Sequence, residues 1–388
     1  MKIGLVSPYD FIHPGGVVNH VLALYDQLVE MGHDVKIIAP ASRSVFNEDE
    51  RFLHIGKARP FPVRGTTIRI SFSLRLASKI KEVLSREKFD IVHLHEPFMP
   101  MLCSAVLRFS DSVNIGTFHA CHGSPGYNFG WPISKLMLHR RQRKLAGKIA
   151  VSKPAMDYAS KHIPGPYTII PNGIDMEHFS PDIAPIEGFN DGKTNILFVG
   201  RLEKRKGLDY LLRAYNWIKR ENTDCRLIVV GPGIILRRKF ERYVRHNKLT
   251  DVIFTGMVDY KELPRYYKAA DIFCTPATGR ESFGIVLLEA MALGKPVVAT
   301  SIEGYAGVMT NGEEGYLVPP KNYIELARAL RTLIEGKQLR QQMGDKGFNT
   351  AQDHDWRKIA QRVVNFYIQV LGQTTQQKTS ISYETISS

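Results

Sequence analysis

The sequence predicts an α/β protein made of two doubly wound parallel sheets, one in each half of the chain. Short, wholly apolar runs recur at intervals long enough for a crossover helix, and the same series starts again in the second half. At 388 residues the chain also exceeds one ordinary core and suits two domains.

In the first half the runs are Ile3 to Ser7, Val35 to Ala39, Ile91 to Leu94, Asn114 to Phe118, Ile149 to Val151 and Thr168 to Ile170. A strand covered on both faces needs apolar residues at every position, and these runs do not alternate. Val17 to Met31 and Leu74 to Ser85 supply crossover helices between them. The second half repeats the scheme with Asn195 to Val199, Leu227 to Val230, Val252 to Phe254, Ile272 to Cys274, Val297 to Ala299 and Tyr316 to Val318. Pro171-Asn172-Gly173 is a turn signal after an apolar run, so the domains are expected at 1–172 and 173–355. A last helix over 356–372, with Asp355 as its N-cap, is expected to cross back onto the first domain. Residues 373–388, rich in Gln, Ser and Thr, are expected to form a disordered tail. Open parallel sheets bind ligands at the carboxyl ends of their strands, so a shared site is expected in the cleft between the domains.

Composition excludes several classes. Ile3 to Val6 is too short for the apolar region of a signal peptide, which predicts a cytoplasmic protein, and no uninterrupted apolar stretch reaches membrane-spanning length. Cys103, Cys121, Cys225 and Cys274 form no Cys-x-x-Cys pair, which argues for reduced thiols. Of the formal charge of +14, +9 falls in residues 1–172, so this half is expected to meet something anionic: nucleotide phosphates, a lipid surface or nucleic acid. No nucleic-acid recognition motif accompanies the charge, which leaves phosphates and lipid.

Three segments carry chemistry. After the first run, Ser7-Pro8-Tyr9-Asp10 leads to Pro14-Gly15-Gly16 at the start of a helix, where free N–H groups and close backbone approach suit a phosphate; the same glycines also suit a tight strand-to-helix turn. In the second half Arg201 and Lys206 follow the strand Asn195 to Val199, placed to clamp a diphosphate and neutralise charge on it as it leaves. Further on, Glu281 and Glu289 stand eight apart around a loop and a helix start. Ser282, Phe283, Gly284 and Ile285 can offer backbone N–H groups to phosphate, Glu289 can accept from ribose hydroxyls, and Glu281 can touch a transferred sugar.

Together the Glu-x7-Glu motif, the Gly200-Arg201-Leu202 loop running to Lys206-Gly207, the Pro-Gly-Gly turn and Pro171-Asn172-Gly173-Ile174-Asp175 resemble family 4 retaining glycosyltransferases of the GT-B fold. Within that family the chain is most similar to bacterial phosphatidylinositol mannosyltransferases, through Ser7-Pro8-Tyr9, His95-Glu96-Pro97, Thr117-Phe118-His119, Ile149-Ala150-Val151-Ser152 and Glu281 to Val286. The resemblance implies that Gly16, Arg201 and Lys206 contact the donor diphosphate, Glu281 the sugar, Glu289 the ribose and His119 the sugar near the reacting carbon. It further implies that Val258 lies at the nucleotide base, that Tyr9, Arg69 and His119 serve the acceptor, and that Arg69 binds the acceptor's phosphate. Two departures bear on substrate. Val63-Arg64 replaces the Tyr-Asn pair usual beside inositol, and Val258-Asp259-Tyr260 lacks one of the acidic positions expected for guanine, so GDP is favoured while UDP stays open.

No cofactor or metal is expected, the nucleotide-sugar, GDP-mannose or another, being a substrate. His93, His95, Glu96, His119, Cys121 and His122 could be drawn as a metal cluster, but the resemblance accounts for His119 without one. Asp353-His354-Asp355 reads as a helix start. The segment Lys135 to Lys148 holds six Lys/Arg among Leu136, Met137, Leu138 and Leu145 and is expected to dock on an anionic membrane surface at the inner face. The expected activity is transfer of a hexose, mannose from GDP-mannose in the first place, with retention, to a phospholipid acceptor such as phosphatidylinositol. The alternatives are a UDP-sugar with a non-inositol lipid or soluble acceptor, and a sugar-nucleotide epimerase. Nothing in the sequence sets the oligomeric state.

Overall fold

The computed structural model describes every residue except 14, 43–48, 64–65, 72–75, 124–138, 222–223 and 387–388, and gives 61–63, 66–68 and 377–386 by backbone alone. The chain divides into two compact units: Met1–Asn172 with Trp356–Ser388, and Gly173–Asp355.

The first unit holds β1 (Lys2–Val6), β2 (Asp34–Ala41), β3 (Phe52–Val63), β4 (Thr66–Ser71), β5 (Ile91–His95), β6 (Val113–Phe118), β7 (Leu145–Ala150) and β8 (Thr168–Ile169) in the order β4-β3-β2-β1-β5-β6-β7-β8. Every pairing is parallel except β3 with β4. The alternation of side chains explains the apolar runs. On β1, Ile3 and Leu5 face one core with Val21, Leu24 and Leu28 of the helix Gly16–Glu30, while Val6 faces another with Ile80, Val92 and Val106.

The second unit holds β9 (Thr194–Val199), β10 (Cys225–Val230), β11 (Val252–Gly256), β12 (Ile272–Thr275), β13 (Val297–Thr300) and β14 (Gly315–Val318), all parallel, in the order β11-β10-β9-β12-β13-β14. Again alternate residues of one strand fill opposite cores, Leu197 and Val199 on one side, Ile196 and Phe198 on the other. In each sheet the strand order reverses beside the first strand, at β1/β5 and at β9/β12. Those two switch points are where an open sheet leaves a crevice.

Two features differ from the sequence reading. The pair β3 and β4 was not foreseen, because neither strand is a continuous apolar run: in β3, Phe52, Ile55 and Ala58 are buried while Lys57, Arg59 and Pro60 are exposed. The terminal helix runs through Ile386 instead of ending at 372, so 373–386 are helical where a disordered tail was expected. No Gly or Pro follows Gly372 to stop it, and the Thr374 and Thr375 hydroxyls donate to the Val370 and Leu371 carbonyls at 2.8 and 3.0 Å. Its Trp356, Ile359, Val363 and Tyr367 share the core of Ile3 and Leu5. The four cysteines are free thiols, and among the described residues no helix is long and apolar enough to cross a membrane.

Candidate functional site

In the second unit the loops after β9 and β12 meet at the switch point. After β9 a short turn, Lys204–Lys206, ends at Gly207 with φ 72, where a Cβ would lie 1.9 Å from the Pro276 carbonyl oxygen. Only glycine lets the two loops lie this close. The Thr278 N–H donates to the Arg205 carbonyl at 2.7 Å and fixes the approach.

That approach assembles an ion network. Lys206 Nζ stands 2.8 Å from Glu281 Oε1, and the same carboxylate takes a guanidinium hydrogen bond from Arg205. Arg205 Nε donates to Glu203 Oε2 at 2.8 Å, and Arg201 Nη1 pairs with Glu203 Oε1 at 3.0 Å. The structure thus brings Arg201, Lys206 and Glu281 together, and adds Glu203 and Arg205. Sequence reasoning passed over these two because Lys204-Arg205-Lys206 looks like a solvated basic run; the turn is what separates their directions. Three cations face two carboxylates, which leaves the cluster able to take an anion.

Past Glu281, Ser282 is half-buried, Phe283 is buried, and Gly284 has φ 104 as it opens the helix Ile285–Ala292. A Cβ on Gly284 would come 2.6 Å from the Tyr305 ring. No side chain caps this helix, and apart from Leu287, whose N–H donates to the Gly284 carbonyl at 2.9 Å, its first-turn N–H groups stay available to a ligand. Glu289, on the same helix, accepts the Tyr267 hydroxyl at 2.7 Å. Burial pushes its carboxyl up to about 7, against the opposing pull of the Tyr267 hydrogen bond and the Lys206 charge. Val258 is half-buried against the core of Ile174 and Phe179. Close to it in the chain, Tyr260 stacks on His178 with centroids 4.3 Å apart and planes 17° apart, a flat aromatic surface.

In the first unit, Gly16 begins the helix Gly16–Glu30 and is exposed, with no side-chain cap and no acidic residue in the first turn. Around the end of β5 and β6 four imidazoles gather. His20 Nδ1 meets Asn172 Oδ1 at 2.8 Å, and His95 Nδ1 meets His119 Nε2 at 3.0 Å. His93 is held at both nitrogens, by Tyr367 at 2.7 Å and Thr117 at 2.6 Å. Burial lowers all four, His20 to about 4 and His93 to about 3, so they are neutral at ordinary pH. Glu96, buried with φ 53, accepts the N–H groups of His119 and Ala120 at 2.8 Å each and so fixes the loop that carries His119. Tyr9 is half-buried, its hydroxyl raised by burial and by the neighbouring Glu96. Arg69 lies half-buried on β4.

The histidines regroup relative to the cluster drawn from sequence. His93 and Glu96 are occupied as described, Cys121 Sγ lies 3.5 Å from His122 Nδ1, and the nitrogens that lie within 4.8 Å of one another belong to His20, His95 and His119. His20, far away in sequence, gave no signal beyond its place on the first helix. In the basic segment, residues 135–138 lie outside the described residues. Arg141 donates to Ser104 at 2.9 Å and Lys144 to the Arg108 and Ser110 carbonyls at 3.1 and 3.2 Å, which leaves Arg140 and Arg143 exposed. Arg64 and the Val63 side chain also lie outside the described residues.

Comparison with known proteins bears on this geometry. Residues 14–178 match the family described as Glycosyltransferase Family 4, and 179–350 match Glycosyl transferases group 1. The chain is 35% identical over 380 residues to the phosphatidyl-myo-inositol mannosyltransferase of Mycobacterium tuberculosis, covering 96% of this chain and 98% of that one. It belongs to glycosyltransferase family 4. The corresponding protein of Propionibacterium freudenreichii is 36% identical over 384 residues, covering 96% of each chain. Among solved structures, sucrose-phosphate synthase from Thermosynechococcus elongatus superposes with a TM-score of 0.72 at 22% identity, covering 96% of this chain and 99% of that one. Anabaena HepE in complex with UDP gives 0.73 at 18%, covering 94% and 99%. The fold is GT-B and the enzyme is a glycosyltransferase, which decides against the epimerase.

Proposed function

We propose that this family 4 glycosyltransferase moves a hexose, mannose from GDP-mannose in the first instance, onto a phosphatidylinositol-type lipid at the cytoplasmic membrane face, with retention and without a metal ion. The observation that carries the donor half is the Lys206–Glu281 pair at 2.8 Å, because it joins a cation suited to the diphosphate and a carboxylate suited to sugar hydroxyls at one point. The names of the relatives support mannose and the lipid acceptor.

In this reading Arg201, Lys206 and the amides of Ser282 to Ile285 take up charge as the C1–phosphate bond breaks. The acceptor hydroxyl forms the new C1–O bond on the same face through an oxocarbenium-like state, and its proton passes to the departing phosphate. Glu281 orients the sugar, Glu289 the ribose, and the loop fixed by Glu96 presents His119 to the reacting end. Gly16 approaches the diphosphate, and Tyr9 and Arg69 serve the acceptor. Cationic side chains and helix N-termini supply what a metal supplies elsewhere, so activity should survive excess EDTA.

The decisive experiment incubates the enzyme with GDP- and UDP-sugars against phosphatidylinositol and other membrane lipids and follows products by mass spectrometry. A mannosylated inositol lipid is the expected product. Transfer only from a UDP-sugar, or only to a non-inositol or soluble acceptor, overturns the substrate assignment and vindicates the departures at 63–64 and 258–260.

A further inference from the structure

Beside the donor residues, and entirely within the second unit, lies a cavity of about 510 Å³. Lys204, Arg205, Lys239, Arg280 and Lys321 line it, against the single carboxylate of Asp209. Its volume falls in the range of small-molecule sites. Arg201, Lys206, Glu281 and Glu289 do not line it, so it is not the donor groove.

The charge there is unbalanced. Among the described residues Lys204, Lys239, Arg280 and Lys321 enter no ion pair, and Arg205 alone is neutralised, by Glu203 and Glu281. Elsewhere in this unit cations find carboxylates readily, as Lys193 and Lys219 do on Asp251 at 2.6 and 3.0 Å. Like charges gathered around one concavity repel unless an anion joins them. Backbone strain points the same way. Arg280 and Lys321, from the loops after β12 and β14, both have left-handed backbones, φ 63 and φ 65, which residues with a Cβ seldom adopt. Half-buried Tyr210 and buried Phe240 complete the wall with ring surface.

We infer that this cavity is a second anion site, which takes a phosphate-bearing ligand with its phosphate among Lys204, Lys239, Arg280 and Lys321 and its less polar part against Tyr210 and Phe240. Phosphate on a soluble metabolite and phosphate on a lipid head group offer the same chemistry. Arg205 touches both places, lining the cavity and bonding Glu281, so occupancy is felt at the donor residues.

The test compares wild type with Lys239→Ser/Arg280→Ser/Lys321→Ser, and with Arg238→Ser/Arg242→Ser/Arg245→Ser, which removes equal charge from exposed positions that do not line the cavity. Inorganic phosphate is titrated calorimetrically in excess GDP, and cosedimentation is measured with vesicles of phosphatidylglycerol and phosphatidylcholine in equal parts. GDP affinity, measured separately, reports on the donor groove, so failure of that reading shows on its own. A loss of at least about tenfold in phosphate affinity in the cavity variant alone supports a soluble ligand. No phosphate binding by any form, with a vesicle loss confined to the cavity variant, supports the lipid head group. Equal losses in both variants, or no loss in either, overturn the inference. Unchanged Tm values in the variants confirm that exposed side chains, not the fold, were altered.

Discussion

Moving from about pH 8 to about pH 6 should weaken binding of a nucleotide-sugar about tenfold, and Glu289 should be the cause. Its carboxyl is raised by burial to about 7 in the donor-free protein. At about pH 8 roughly nine-tenths of it is ionised and at about pH 6 roughly one-tenth, so the form able to accept two ribose hydroxyls falls about tenfold, or about 1.4 kcal/mol. The donor's diphosphate, esterified at both ends, keeps its charge throughout. The sign follows from the direction of the shift. A carboxyl raised in the fold above its ordinary value of 4.5 stabilises the donor-free fold below that value and loses this contribution as pH rises through about 7. Donor-free protein should therefore lose some stability over this range, while saturating donor, which favours the ionised form, should restore it. Calorimetry in two buffers of different ionisation enthalpy should show proton release on binding near pH 7. Glu289→Gln, which cannot ionise, should bind more weakly at about pH 8 and show a flat profile. The same slope in the glutamine variant would refute the reasoning, because the titrating group would then lie elsewhere.

Lys206→Ala should lower kcat about 10²- to 10³-fold with a smaller change in donor KM, since the charge it meets develops as the bond breaks; steady-state kinetics separate the two. Glu96→Ala leaves the His119 and Ala120 amides without their acceptor and should cost about 2–4 kcal/mol in denaturant unfolding, whereas Glu96→Gln should recover most of it. Arg140→Ser/Arg143→Ser should weaken sedimentation with anionic vesicles by about 1 kcal/mol per residue and leave donor affinity in solution unchanged. Arg141 and Lys144 are poorer choices, as both are already bonded within the protein.

Much of the fold could be read because parallel strands buried on both faces must be apolar throughout, as Ile196-Leu197-Phe198-Val199 is. β3 escaped because it is not apolar throughout, with Lys57 and Arg59 facing water. The site divides similarly. Arg201, Lys206, Glu281 and Glu289 were legible from spacing around loop and helix starts. Arg205 and Glu203 were not, because their part depends on the turn ending at Gly207, and charge runs look alike until the backbone gives each side chain a direction. Tyr267 on Glu289, His20 on Asn172 and Tyr367 on His93 are pairings across long sequence separations, which local patterns do not encode.

The first unit is a discontinuous piece of chain, closed by a helix that is synthesised after the whole of the second unit. Trp356, Ile359, Val363 and Tyr367 fill the same core as Ile3 and Leu5, and Tyr367 supplies one partner of His93. At ribosomal rates of about 5–20 residues per second, the stretch from Asn172 to Tyr367 takes about 10–40 seconds to appear. Throughout that interval one face of the nascent N-terminal sheet has the helix Gly16–Glu30 but lacks the rest of its cover, while Gly173–Asp355 can already close its own cores. The order of emergence therefore reverses the usual order of completion. The second unit can finish first, and a ribosome that stalls after residue 355 leaves a complete half joined to one whose core still lacks Trp356, Ile359, Val363 and Tyr367.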